Sequence, residues 1–377
     1  MKIETQLARP VSSIEDPWKA NSPPLFQTAS FASDSATESG RYDYTRSGNP
    51  TRDMFQQQVA RLEGGGQSFA FTSGMAASTA VLRLCAAGEH VICGTDLYGG
   101  TYRLLDRCAR RSGIEVTAVD TGNPQAIRAA LRPNTRLLWV ETPTNPLLEI
   151  TDLRATAHSL EGHAAHLLVD NSVMSPYLQR PLDLGADLVL HSATKHLAGH
   201  GDCMAGVVTT RDVTLADELA FVQNAEGAGL APFDCWLLLR GMKTLAVRLE
   251  RQQTTALSLA EFLQQQQGID RVFYPGLETH PGALLHAEQS SGAGSLLSFT
   301  TSNFELARRV VEQTQLFTIS VSFGSTQSLI SLPGHMSHAS IPEHVRAARE
   351  LPAELVRVSV GLEDAEDLME DLARALS

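Results

Sequence analysis

Lysine is scarce in this chain. Only Lys2, Lys19, Lys195 and Lys243 occur among 30 basic residues, so arginine carries nearly all of the positive charge. Arginine stays protonated and cannot act as an amine nucleophile, whereas lysine can. On composition alone the bias reads as drift. Cysteine is also sparse. Five residues (Cys85, Cys93, Cys108, Cys203 and Cys235), an odd count with no C-x-x-C pair, argue against a disulfide framework. No apolar run approaches the roughly 18 residues of a membrane span, and the opening MKIETQLARPVSS lacks the apolar core of a secretory signal. These absences point to a cytoplasmic, soluble protein. Positive charge is in deficit as well: 30 Lys+Arg against 42 Asp+Glu give a net charge of −12. That balance argues against nucleic-acid or anionic-membrane binding, but leaves room for a small anionic ligand in a local pocket.

What is present is the make-up of a folded enzyme-sized chain. Its 377 residues, 43% hydrophobic and 19% charged, suffice for two domains at about 150 residues each. Residues 1–50 are rich in Pro, Ser and Asp and read as an extended N-terminal arm. Short apolar runs at 69–72, 90–93, 115–119, 137–141, 167–170, 187–191 and 206–209 then alternate with helical stretches such as 101–112 and 124–131. Several runs are nearly continuous in Val, Leu and Ile, as strands covered on both faces are, so 51–235 reads as an α/β domain with a mostly parallel sheet. The pattern changes afterwards. Residues 236–250 and 254–267 read as amphipathic helices, 295–300, 317–320 and 356–360 as strands, and 365–376 as a closing helix. Residues 236–377 are thus expected to form a smaller α+β domain.

The motifs exclude several chemistries. No G-x-G-x-x-G follows a strand, no Walker spacing exists and no G-x-S-x-G elbow occurs. His196, His200 and Cys203 have two glycines among them, which disfavours the helix that would aim two histidines at zinc; they are expected in a loop, with no metal site. The apolar run at 69–72 leads into Ser73-Gly74-Met75, a helix N-terminus whose N–H groups suit a phosphate or merely a cap.

The segment Asp187-Leu-Val-Leu-His-Ser192-Ala-Thr194-Lys195 is more informative. A buried strand runs into two hydroxyls and one of the four lysines, at the strand end where α/β sheets place ligands. A lysine partly desolvated there has its amine form favoured and can make a Schiff base. Asp170 ends a second such strand, where a carboxylate meets a cation or a ring N–H. Asp, Lys, hydroxyls and a phosphate turn together are what pyridoxal phosphate requires.

These residues fall in ordered motifs: Tyr44-Thr-Arg46-Ser-Gly-Asn-Pro-Thr51, Ser73-Gly-Met75, Asp96-Leu-Tyr98-Gly-Gly-Thr101, Glu141-Thr-Pro-Thr-Asn145-Pro146, Val169-Asp170-Asn171-Ser172, Ser192-Ala-Thr194-Lys195 and Arg357-Val-Ser-Val-Gly-Leu-Glu-Asp364. Over nearly its whole length the chain resembles the pyridoxal-phosphate-dependent enzymes of Cys/Met metabolism. That family has the aminotransferase-like fold (PLP fold type I) and includes cystathionine β- and γ-lyases, cystathionine γ-synthase and methionine γ-lyase. The resemblance implies that Lys195 binds the cofactor covalently and later moves the Cα and Cβ protons. It implies that Asp170 keeps the ring nitrogen protonated, that Tyr98 stacks on the ring and helps position the reacting amine, and that Ser73, Gly74, Met75, Ser192 and Thr194 hold the phosphate. Tyr44 and Arg46 are implied to reach the phosphate of a neighbouring subunit, giving a homo-oligomer of at least a dimer, usually a tetramer built from dimers with shared active sites. Arg357 with Asn145 is implied to bind the substrate α-carboxylate, and Ser322 to touch Lys195.

Three departures bear on the reaction. Gly100 stands where methionine γ-lyases carry cysteine. Val321 stands where γ-synthases and typical γ-lyases carry a glutamate that reads the distal amine of cystathionine. Gly324-Ser325-Thr326-Gln327-Ser328 replaces the usual glycine pair and glutamate. The expectation is a carbon–sulfur lyase on L-cystathionine, β-elimination ahead of γ-elimination. The alternatives are a γ-synthase-type transferase using O-acylhomoserine and cysteine, and a cofactor-binding protein without turnover.

Overall fold

The computed structural model describes residues 1–9, 18–38, 40–336 and 351–377. All seven strands expected in the first half form: β1 (Gln67–Phe71), β2 (His90–Gly94), β3 (Glu115–Val119), β4 (Thr135–Glu141), β5 (His166–Asp170), β6 (Leu188–His191) and β7 (Gly206–Thr210). They make one sheet in the order β1-β7-β6-β5-β4-β2-β3. The pairings from β6 through β3 are parallel, while β7 runs antiparallel to both β1 and β6. Every residue of β2, β6 and β7 is buried, which accounts for their nearly continuous apolar runs. The edge strand β3 is partly exposed and correspondingly mixed in sequence.

Parallel pairing has a direct consequence for the site. Strands β4, β5 and β6 end on the same side, so Glu141, Asp170 and the segment running from His191 to Lys195 collect along one edge of the sheet. A second sheet comprises β8 (Ile269–Phe273), β9 (Leu296–Thr301), β10 (Thr318–Ile319), β11 (Leu329–Ser331) and β12 (Leu355–Ser359), ordered β10-β11-β12-β9-β8. Its central strand β12 carries Arg357 between Ser298 of β9 and Ser331 of β11. The architecture is the expected one: a mostly parallel sheet and a smaller mixed sheet with helices.

Several local expectations need correction. The arm is not wholly extended, because Ile3–Ala8 is a helix whose Leu7 is buried against the helix Pro50–Leu62. The helices placed at 236–250 and 254–267 are instead Pro232–Met242 and Leu245–Gln264. The polar run Arg251-Gln252-Gln253 does not break the second helix, since buried Gln252 donates to the Ser325 carbonyl at 2.7 Å. The real break follows Gly241, where a Cβ would lie 2.2 Å from the Ala198 carbonyl oxygen. There Arg248 donates to the carbonyls of Gly241 and His196, fastening the break to the loop that carries Lys195. The strand read at 317–320 shortens to β10. Strands β8 and β11 escaped notice, one for its exposed Asp270 and Arg271, the other for being three residues long. The closing helix Ala365–Leu376 forms as read, with Leu368, Leu372 and Ala375 buried. Among the described residues no helix is long and apolar enough to cross a membrane.

Candidate active site

A cavity of about 290 Å³ opens where β4, β5 and β6 end, and the loop 321–323 and Arg357 close its other side. Of the residues singled out from the sequence, Ser73, Gly74, Met75, Tyr98, Asn145, Asp170, Ser192, Thr194, Lys195, Ser322 and Arg357 all line it. Tyr44 and Arg46 do not. They lie in a shallow depression with Thr28 and Pro232, where Arg46 donates to the Asn224 carbonyl at 2.9 Å and to its Oδ1 at 2.7 Å.

The local sequence explains this loop. Asn49 caps the helix Pro50–Leu62 by accepting from the Thr51 N–H, and Pro50 fits the first helical position. Arg52, only 2% exposed, then donates to the carbonyls of Thr45 and Arg46 and pins the turn that presents Tyr44 and Arg46.

On the floor of the cavity, Lys195 Nζ donates to Ser322 Oγ at 2.6 Å and lies 4.9 Å from the centre of the Phe323 ring. Burial, reinforced by the Arg357 charge and opposed by Asp170, pulls the Lys195 amine from 10.5 down to about 8. Ser322 holds φ 85, a left-handed conformation unusual for serine, and its carbonyl accepts from Arg357 Nη2 at 2.7 Å.

Asp170 Oδ1 accepts two hydrogen bonds from Ser172, from N–H at 3.0 Å and from Oγ at 2.6 Å, while Ser172 Oγ accepts from the Ser192 N–H at 2.6 Å. Burial raises the Asp170 carboxyl above the ordinary carboxylate range; the Ser172 bonds and the charges of His191 and Lys195 work the other way. A ring N–H⁺ is a partner that such a carboxyl can hold. Across the cavity, Ser73 caps the helix Gly74–Leu82 by accepting from the Ala76 N–H. A Cβ on Gly74 would sit 3.0 Å from Ser192 Cβ and Oγ, so only glycine lets the helix N-terminus approach the Ser192 hydroxyl this closely. Backbone N–H groups and a hydroxyl thus converge as an anion requires. Thr194 Oγ1 is engaged with Ala205, donating to its carbonyl and accepting from its N–H, and so ties the lysine loop to β7.

Arg357 is 2% exposed. It donates from Nη1 to Asn145 Oδ1 at 3.2 Å, and its buried Nε has no partner among the described residues. Burial brings its pKa down to about 10, with Tyr98 opposing. A buried guanidinium facing a cavity with an unfilled donor suits a carboxylate ligand. Lysine, phosphate-type turn, buried carboxyl and guanidinium therefore fit pyridoxal phosphate with an amino-acid substrate.

Among the lining residues to which the sequence reading gave no role are Ser78, Glu141, Val173, Met204 and Phe323. Glu141 carried the one available signal, an acidic side chain ending an apolar strand as Asp170 does. His196 is fully buried against Phe323, His200 Nδ1 donates to the Ala198 carbonyl and Cys203 Sγ is 3.8 Å from the Asp234 carbonyl. Among the described residues no cluster of three metal-ligating side chains occurs.

Residues 4–377 match the family described as Cys/Met metabolism PLP-dependent enzyme. The chain is 52% identical over 357 residues to the chloroplastic cystathionine beta-lyase of Arabidopsis thaliana, spanning 95% of this chain and 77% of that protein. It is 45% identical to a cystathionine gamma-lyase of Bacillus subtilis, over 95% of this chain and 94% of the relative. The fold superposes with a TM-score of 0.97 and 39% identity on cystathionine gamma synthase from Xanthomonas oryzae pv. oryzae in complex with cystathionine, covering 100% and 98% of the two chains. The chain belongs to the pyridoxal-phosphate-dependent Cys/Met metabolism family and uses that cofactor.

Proposed function

We propose that this chain is a carbon–sulfur lyase that cleaves L-cystathionine, chiefly by β-elimination to homocysteine, pyruvate and ammonia. Elimination at Cγ, to cysteine, 2-oxobutyrate and ammonia, stands close behind. One observation carries the reading: the cavity gathers Lys195, Asp170, Tyr98, Asn145 and Arg357 around a single space, with Val321 instead of a carboxylate at its mouth. Pyridoxal phosphate supplies an electron sink for negative charge developing at the substrate Cα.

The chain supplies the rest. Asp170, held by Ser172, keeps the ring nitrogen protonated. Ser73, Gly74, Met75, Ser192 and Thr194 form the phosphate end, and Tyr98 covers the ring. Arg357 and Asn145 clamp the α-carboxylate and so fix which Cα bond is presented for cleavage. Lys195, whose amine is neutral at mildly alkaline pH, binds the cofactor, takes the Cα proton and assists loss of the thiolate. Val321 offers no acceptor for the distal amine, which favours cleavage on the Cβ side.

Tyr44 and Arg46, exposed outside this chain's cavity, reach the phosphate of a neighbouring subunit in the assembly proposed here, a homotetramer built from dimers with shared sites. In that scheme residues 1–50 are the inter-subunit arm, 51–235 the cofactor domain and 236–377 the smaller domain. The five free cysteines suit a reducing, cytoplasmic setting.

Mass-spectrometric identification of the 2-oxo acid released from L-cystathionine tests the proposal. Pyruvate is expected, and 2-oxobutyrate as the main product would make the chain a γ-lyase. If neither forms, and O-acylhomoserine with cysteine yields cystathionine, the transferase reading replaces it.

A further inference from the structure

The side chain of Glu141 is unused by the reaction scheme above, yet it is 5% exposed and sits beneath the cavity at the end of β4. Its two oxygens accept from two different loops. Oε2 takes the main-chain N–H of Tyr98 at 3.0 Å, and Oε1 takes the main-chain N–H of Asn145 at 3.0 Å. Tyr98 begins the helix Gly99–Arg103, whereas Asn145 lies beyond β4 and holds Arg357 through its Oδ1. One carboxylate therefore spans the loop that presents the ring-covering tyrosine and the loop that presents the carboxylate clamp.

We infer that Glu141 is a positioning residue that fixes the face of the cofactor ring relative to the substrate α-carboxylate. This rests on the reading of Tyr98, Asn145 and Arg357 given above.

The placement is costly, and the cost marks it as more than filler. Burying a carboxyl close to Asp170 and Asp96 disfavours its charge, and Glu141 is raised well above the ordinary range, only partly offset by the two N–H bonds. An apolar residue would avoid that cost but would leave both N–H groups unpaired beneath the site. Neither loop offers the other a direct tie through these atoms; the carboxylate is the shared acceptor. Small displacements matter here, because misplacing a reacting bond by about 1 Å costs on the order of 100-fold in rate.

The test uses holoenzyme of wild type, Glu141→Gln and Glu141→Asp. Gln preserves the shape but turns an NH₂ toward one of the two N–H groups; Asp keeps both acceptors but shortens the reach. Four quantities are read: melting temperature with cofactor content, kcat/KM for L-cystathionine, the dissociation constant for L-alanine, and the visible circular dichroism of the bound cofactor. L-Alanine carries the α-amine and α-carboxylate without a leaving group. Both variants are expected to fold and hold cofactor. Their kcat/KM should fall by roughly 10- to 100-fold, with weaker L-alanine binding, a reduced circular dichroism band, or both. Combining Glu141→Gln with Asn145→Ala should cost less than the product of the single losses, because one acts through the other.

Unchanged kinetics and binding in both variants would overturn the inference, as would loss of fold or of cofactor in both, which would make Glu141 a merely structural residue. If wild type releases no 2-oxo acid while the variants still weaken L-alanine binding, the positioning role stands and the substrate reading falls.

Discussion

Lys195 Nζ and Ser322 Oγ are 2.6 Å apart, joining the end of β6 to the loop that also receives Arg357. The reactive amine is thus positioned by both sheets at once. Its environment, dominated by burial and then by the Arg357 charge, lowers its pKa to about 8. A cationic group with a lowered folded pKa is neutral in the folded chain and protonated in the unfolded one between about 8 and 10.5. Its contribution to stability therefore rises with pH across that window. Covalent attachment of pyridoxal phosphate to the apo-protein should accelerate with pH and level off above about 8. An inflection near 10.5 would show that Lys195 behaves as an ordinary surface amine.

Arg357→Ala removes a buried guanidinium with an unfilled donor. Charged hydrogen bonds contribute about 1.5–3 kcal/mol, so kcat/KM for L-cystathionine should fall roughly 10- to 100-fold, mainly through KM. Steady-state kinetics check this, and an unchanged KM would move the carboxylate site elsewhere. Asn145→Ala, which removes only one partner of that guanidinium, should cost less.

Arg46 lies outside its own chain's cavity, so the shared-site proposal makes a specific demand. Arg46→Ala should lose cofactor more readily on dialysis, measured by absorbance. Mixed with inactive Lys195→Ala and reassembled, it should recover activity, because some sites then combine an intact lysine with an intact partner arginine. A mixture no more active than its components would show that each chain completes its own site.

Gly100 has no room for a side chain: a Cβ there would lie 2.4 Å from Tyr98 Cε1 and 2.7 Å from Met75 Sδ. Gly100→Cys should therefore displace the Tyr98 ring. The visible circular dichroism band of the holoenzyme should shrink and kcat should fall about 10-fold or more. Full activity would mean that the ring moves aside at no cost.

How far the sequence discloses such a site depends on what each residue does. Asp170 and Lys195 were legible because the first ends, and the second closely follows, a strand rich in Val and Leu, so strand direction places them together. Arg357 was legible only through the family motif, as nothing in the local pattern brings β12 to the other sheet. The Glu141 role was hidden because its partners are main-chain N–H groups, which leave no trace in residue identity. Gln252 misled the helix boundary for a related reason: it is polar but buried, its amide donating to the Ser325 carbonyl. In the segment 324–328, Gly324 is required by φ 80 and by His196 N, 2.8 Å from where its Cβ would lie. Ser325 avoids the left-handed region, which is why serine is tolerated where the family has a second glycine.

The central claim is that Lys195 carries the cofactor, and the scarcity of lysine makes it unusually clean to test. Holoenzyme reduced with borohydride and digested should give one pyridoxyl-modified peptide, containing Lys195, and Lys195→Ala should give none and release no 2-oxo acid while retaining its fold. Modification at Lys2, Lys19 or Lys243 instead, or turnover by Lys195→Ala, would contradict the account.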